Sequence, residues 1–470
     1  MPKFVPVGQE DPMTTLCRMV VNTKYEDLPS NVVNHAKRSI LDTLAVTVGG
    51  SAMEGIPAVV DLVKDKGGKP ESIIPFYGGK VPASEAGLAI GPMARAMDFG
   101  DCHPEAEHSS EYTVPTLLAA TGLKDKVTGK EFITAYVVGQ EVLLRIGIAF
   151  KQTSKGEITA GGTYGGHYIF GSVAAAGKLL GLSLEELENA ESIGRDMTQP
   201  HDMAMYTPAT LMVRVHHGFI CQDAINACLL AKRGITGPRE EVLGGPRGYL
   251  SVFARWETDP DALIKVLGEE WEMLGQIMKP YTSCLCTHTA IYGILDQMSE
   301  HNFRAEDIAN VDIDESSVNW FTVCVPKEVK WNPQTVPECQ FSLPYVVATA
   351  IYDKDVFLNS YTPQARARHD VRELMTRISA REDSSLPVYA ARVNTTLKDG
   401  RKYSKEYIHL KGHPKEPFTE QELIDKFKKC VPYSAYKLSG EVVGSVIKAV
   451  LSLEEVDNVV SAIILPLTPK

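Results

Sequence analysis

Between Asp98 and His108 the chain sets Asp98, Asp101, His103, Glu105, Glu107 and His108 into eleven positions. Carboxylates and imidazoles so crowded could hold a divalent metal, run metal-free acid–base chemistry, or decorate a wet loop. The spacing D-x-x-D-x-H-x-x-x-x-H fits no established zinc pattern such as H-E-x-x-H. The residues before it, ASEAGLAIGPMARAMDFG, read as an apolar, Ala/Gly-rich helix of the buried kind. A loop leaving such a helix lines an interior cleft more readily than it hangs in water. Asp98 and His108 are the sharpest candidates, whereas Glu105 and Glu107 read as solvated loop residues.

Three further segments carry usable chemistry. ITAGGTYGGHYIFGSVAAAG holds five glycines between 161 and 171, around Tyr164 and His167. It is neither a P-loop nor a G-x-G-x-x-G after a strand, so a nucleotide site is not expected. Its backbone can still approach a ligand closely, and N–H groups at a helix start suit an anion. In YTPATLMVRVHHGF, Arg214 and His217 share a helix face while His216 points elsewhere. A guanidinium in so apolar a neighbourhood needs a counter-ion, either a substrate carboxylate or an internal Asp or Glu. MKPYTSCLCTHTA brings Lys279, Tyr281, Cys284, Cys286 and His288 to an expected seam between domains. Cys-x-Cys alone is too little for an iron–sulfur cluster. With no G-x-S-x-G elbow and no nucleophilic-cysteine signature, what remains suits proton movement on a carboxylate-bearing substrate.

The elements that must position these groups are mostly helical. Up to about residue 275, helical spacing recurs in NVVNHAKRSILDTLAVTVGG, which stops at a glycine pair, and in GKEFITAYVVGQEVLLRIGIAF. Ser183 followed by Glu186 is a capping box. Beyond 275, IANVDIDES alternates like a half-buried strand, and VYAARVNTTL-KDG-RKYSKEYIHL reads as a β-hairpin. The expected fold class is therefore mainly α. A helical domain of residues 1–275 plus 415–470 would carry a smaller α/β domain of residues 276–414 inserted near the C-terminal end. A pocket between them is a common place for a small-molecule site.

The 470 residues are 44% apolar, 23% charged and 8% aromatic, an ordinary globular composition. A net charge of −11 with no basic block argues against nucleic acid. No stretch reaches the roughly 20 uninterrupted apolar residues of a spanning helix, and the first residues lack a signal-peptide pattern. Nine dispersed cysteines fit reduced thiols. A cytoplasmic protein without a membrane partner is expected.

Taken in order, ARAMDFGDCHPEAEHSS, GGHYIFGSVAAAGKLLGL, HHG…A…AKRGITGP and KPYTSCLCTHTAI resemble the MmgE/PrpD family. That family includes 2-methylcitrate dehydratase, cis-aconitate decarboxylase and iminodisuccinate epimerase. The resemblance implies a homodimer with a metal-free, cofactor-free pocket between its domains. It also implies acid–base chemistry beside a carboxylate, with Asp98, His103, His108, His167, Lys279 and Tyr281 as catalytic candidates. Asp101, Cys102, Tyr164, Arg214 and His217 are the candidates for holding substrate. The expected partner is thus a small di- or tricarboxylate.

Two departures stand out. Cys102 replaces the usual Thr of the acidic motif, and Val213 stands where a lysine is usual before the H-x-G segment. Loss of that ammonium group weighs most against decarboxylation of a tricarboxylate. The expected order is a dehydratase first, an epimerase or isomerase second and a decarboxylase third. A binding protein without activity remains the reading from another class.

Overall fold

A computed structural model describes residues 10–150, 163–164, 166–198, 201–202, 209–254 and 258–469, with only the backbone at 163–164 and 201–202. Its buried side chains gather into two cores. The first collects helices Ser30–Gly50, Ala83–Arg95, Ser110–Ala120, Gly129–Phe150, Tyr168–Leu180 and Met212–Ala231. Helices Glu420–Cys430 and Gly440–Leu451 return to this core from the far end of the chain, through Leu423, Phe427, Val446 and Val450. The second core lies between helices His288–His301 and Leu343–Asp353 and a four-stranded sheet.

That sheet runs Ile378–Glu382, Ile308–Glu315, Ala391–Leu397, Lys402–Tyr407 across its width. The first pair is parallel, with Val311 opposite Ile378. The other two are antiparallel, with Glu315 opposite Ala391 and Ala391 opposite Tyr407. Alternation makes the hairpin legible: Ala391, Val393, Thr395 and Leu397 are all buried, and the residues between them are not. The mainly α fold with a smaller α/β unit is the observed one.

Local signals explain much of the helical part. Ser183 accepts from the Glu186 N–H, and Glu186 returns the bond to the Ser183 N–H at 2.8 Å. Helix Ser30–Gly50 ends at the glycine pair, as expected, with both glycines in its last turn. A Cβ on Gly50 would collide with the Met93 carbonyl, so the pair also serves a close helix crossing. Gly91 likewise lies so near the Gly218 backbone that a Cβ there would sit at 2.9 Å from it. That close crossing brings Arg95 beside Arg214 and His217. Among the described residues, Gly129–Phe150 is the one helix long and apolar enough to cross a membrane, and it is the buried centre of the first core.

Candidate active site

Arg95 ends helix Ala83–Arg95, where a cation suits the negative end of the helix dipole. The chain then turns through Asp98 in the left-handed conformation (φ 50°), which Asp tolerates better than most residues. This turn sends the Asp98 carboxylate back onto the Arg95 guanidinium and across the seam onto Lys279. Lys279 Nζ lies 2.5 Å from Asp98 Oδ1. All three side chains are buried. Burial alone would raise the Asp98 pKa, but Arg95, Lys279 and His108 outweigh it and hold the carboxyl well below its usual range. Burial also opposes charge on Lys279, yet Asp98 keeps its pKa above the ordinary value. Two buried cations stand against Asp98 and against Glu111 when it is ionised, so with Glu111 protonated one positive charge is in excess, an arrangement that favours an incoming anion.

His108 stands beside this charged group. Its Nε2 lies 4.0 Å from Asp98 Oδ1, and its Nδ1 lies 3.4 Å from Glu111 Oε2. Nδ1 is also 3.2 Å from the Asp101 carbonyl oxygen. A carbonyl only accepts, so Nδ1 carries the hydrogen and Nε2 keeps its lone pair. Burial first, then Arg95 and Lys279, push the His108 pKa well down, and the ring is neutral at neutral pH. The tautomer is thus fixed by the Asp101 backbone and Glu111, and not by the Asp98 carboxylate.

Glu111 is the hub behind His108. Arg95 Nε approaches it at 3.7 Å and His217 Nε2 at 3.5 Å. Gly100 makes room for it, since a Cβ there would strike the Glu111 carboxylate. Burial raises its carboxyl to about 7, against the pull of Arg95 and Lys279. His217 stacks on Tyr112 at 4.0 Å, and Tyr112 on Tyr168 at 4.3 Å, which fixes that side of the cluster.

Arg95 and His108 of this cluster line a narrow cavity of about 30 Å³, walled also by Cys102, Glu107, Cys284 and Phe341 among others. Glu107 corrects the sequence reading: it is buried, and Tyr168 donates to its Oε2 at 3.1 Å. The loop folds back on itself through His103 N–H to Glu107 O at 2.7 Å and the reverse bond at 2.8 Å, which turns Glu107 inward.

The other expected residues divide. Cys102 lines the cavity, and its backbone pairs with Ile277, a fellow member of the second core. The Asp101 carboxylate is turned from any substrate, because the Ser110 hydroxyl, the Ser110 N–H at 3.1 Å and Gln276 Nε2 at 3.0 Å claim it. Burial raises it to about 6 against the Ser110 hydrogen bond. His103 accepts the Glu105 N–H at 3.2 Å with its ring against Gly275, away from the cluster, and burial lowers it to about 4. His167 donates from Nε2 to the Ala106 carbonyl at 3.2 Å behind the cavity wall, and burial lowers it to about 4. Tyr281 packs edge-on to His288 at 5.3 Å, with burial, then Asp355 and Tyr292, raising its hydroxyl. Arg214 donates to the Glu54 carbonyl at 2.7 Å, while its buried Nη2 has no partner among the described residues. Burial lowers it to about 10, opposed first by Glu54. The Tyr164 side chain lies outside the described residues. Val213 is buried in the first core.

Sequence reasoning missed Arg95, Glu111 and Lys426. The first two stand three residues from Asp98 and His108, a spacing that could have flagged them. Lys426 gives no local signal. From helix Glu420–Cys430 its ammonium lies 2.7 Å from Asp42 Oδ1 and donates to the carbonyls of Phe99 at 2.8 Å and Lys279 at 2.9 Å. Among the described residues, no three His, Cys, Asp or Glu side chains are grouped to hold a metal ion.

Comparison with known proteins matches the MmgE/PrpD N-terminal domain to residues 14–260 and the MmgE/PrpD C-terminal domain to residues 281–444. A cis-aconitate decarboxylase-like protein of Aspergillus oryzae is 25% identical, over 93% of this chain and 94% of its own. Cis-aconitate decarboxylase of Mus musculus is 24% identical over 94% and 90% of the two chains, and that of Aspergillus terreus 23% over 88% of each.

Proposed function

The chain belongs to the MmgE/PrpD family, and on that premise we propose that it is a lyase of small di- or tricarboxylates working by proton transfer beside a carboxylate. One observation carries this reading. The buried Arg95–Asp98–Lys279 group carries an excess positive charge while Glu111 is protonated, and it adjoins a neutral His108, with Arg95 and His108 both lining one cavity. Lys279 and Arg95 would hold a substrate carboxylate and stabilise the charge that develops on it. His108 Nε2 would take or return the proton at carbon, with Glu111 behind Nδ1 compensating the charge on the ring.

Decarboxylation is the first reading. Breaking the C–C bond releases CO2 and leaves the bonding pair in the conjugated carboxylate system, which a proton from the Glu111–His108 pair quenches at carbon. The relatives named above support it. So does the number of buried cations, since Arg95 and Arg214, whose Nη2 has no partner among the described residues, add to Lys279 and offset the reason for ranking this chemistry third. Dehydration is the second reading, favoured by the apolar Val213 at a position where the family usually has a lysine. There His108 removes the proton α to a carboxylate and a hydroxyl leaves as water.

Incubation with cis-aconitate, citrate, 2-methylcitrate and malate in D2O, followed by NMR and mass spectrometry, separates the readings. CO2 loss with one deuterium gained at carbon marks a decarboxylase, and water loss a dehydratase. Deuterium gain without loss of a group marks an epimerase. No turnover, exchange or binding with any of the four compounds overturns the proposal.

A further inference from the structure

We propose that Cys284 is a reactive thiol in the wall of the cavity, open to covalent modification by soft alkylating electrophiles. Of the nine cysteines, eight are buried, and Cys284 alone has intermediate exposure. It shares the cavity wall with Cys102 and Cys286, so three of the nine thiols meet at one small space. The Cys286 thiol and backbone N–H both donate to its sulfur, and with Lys279 they lower the Cys284 pKa against burial and the opposing charge of Asp98. Burial raises the other eight. Hydrogen bonds to sulfur and adjacent lysines are what favour thiolate, the nucleophilic form.

Lys330 strengthens the case. It is buried, and its ammonium stands 5.8 Å from the ring centre of Phe341, another wall residue. No carboxylate lies in ion-pair range of it among the described residues. Burial lowers it to about 8, and the group that most opposes this is the Cys284 thiol. A buried ammonium without a carboxylate needs some anion close by, and a Cys284 thiolate supplies one. In the reaction, the sulfur lone pair forms an S–C bond to the electrophilic carbon, the carbon–halogen bond breaks, and halide leaves. The thiol proton goes to solvent.

The test is limiting iodoacetamide on the native full-length protein, with peptide mass mapping over time. The Cys284 peptide should be carboxamidomethylated at least about tenfold faster than any other cysteine. Cys286→Ala and Lys330→Met should each slow that labelling about tenfold, with circular dichroism confirming that the variants fold. Another cysteine labelling first, or Cys284 labelling only after unfolding, overturns the proposal. Labelling does not depend on the proposed activity. Slower labelling in the presence of citrate supports both the thiol and the carboxylate site. Fast labelling that citrate leaves unchanged supports the thiol and counts against the carboxylate reading alone.

Discussion

Glu111 Oε2 lies 3.4 Å from His108 Nδ1, so the ring that faces the cavity is backed by a carboxyl whose pKa, raised by burial, is about 7. Protonated Glu111 is neutral, and ionised Glu111 draws positive charge onto the ring. Near neutral pH the titrating proton therefore belongs to Glu111, while burial keeps the ring neutral.

The pH–rate profile should report that proton. If the protonated pair delivers to carbon, kcat falls as pH rises through about 7, where Glu111 ionises. Glu111→Gln, fixed neutral, should lose that limb between pH 5.5 and 8.5. An unchanged limb in the variant assigns it to another group.

His108→Ala and Lys279→Ala should each lower kcat/KM at least about a hundredfold, the usual cost of losing an acid–base group or a charge-stabilising cation. Steady-state kinetics on folded variants decides it. Near-normal rates in both would remove these residues from the site.

Lys426→Met leaves the buried Asp42 carboxylate without its cation and two carbonyls without a donor. The expected loss is about 3–5 kcal/mol in urea unfolding. Adding Asp42→Asn should recover part of it, because the stranded charge is then gone. Full stability in the single variant contradicts the pairing.

His167 should act on stability through pH. Its folded pKa, about 4, lies below the ordinary 6.5 because burial disfavours the charged ring. The stability it contributes is present above pH 6.5 and is lost as pH falls towards 4, on the order of 3 kcal/mol. His167→Asn keeps a donor for the Ala106 carbonyl and cannot take up that proton. Unfolding at pH 7 and pH 4.5 should show the wild type losing more stability than the variant across this interval.

Much of the fold was legible because its signals are local. The capping box at Ser183, the alternation from Ala391 to Leu397 and the apolar helix ending at Arg95 each lie within a few residues of the structure they specify. At the site, Asp98, His108 and Lys279 stood out by type. Glu107 was misread because its direction depends on the backbone pair it forms with His103, and period and composition do not show that. Lys426 was invisible for a plainer reason. Within KFKKC it resembles a solvated lysine, and only the return of its helix beneath residues 99 and 279 buries it.

That return sets an order on synthesis. Arg95, Asp98, His108 and Glu111 leave the ribosome before Lys279, and Lys279 before Lys426. The helical core can bury its apolar faces while the chain is still growing. The lysine that pins both Phe99 and Lys279 arrives only when helix Glu420–Cys430 emerges. Nascent chains that stop short of it would hold the pieces of the site without the clamp that sets them, and would stay inert until that helix has emerged.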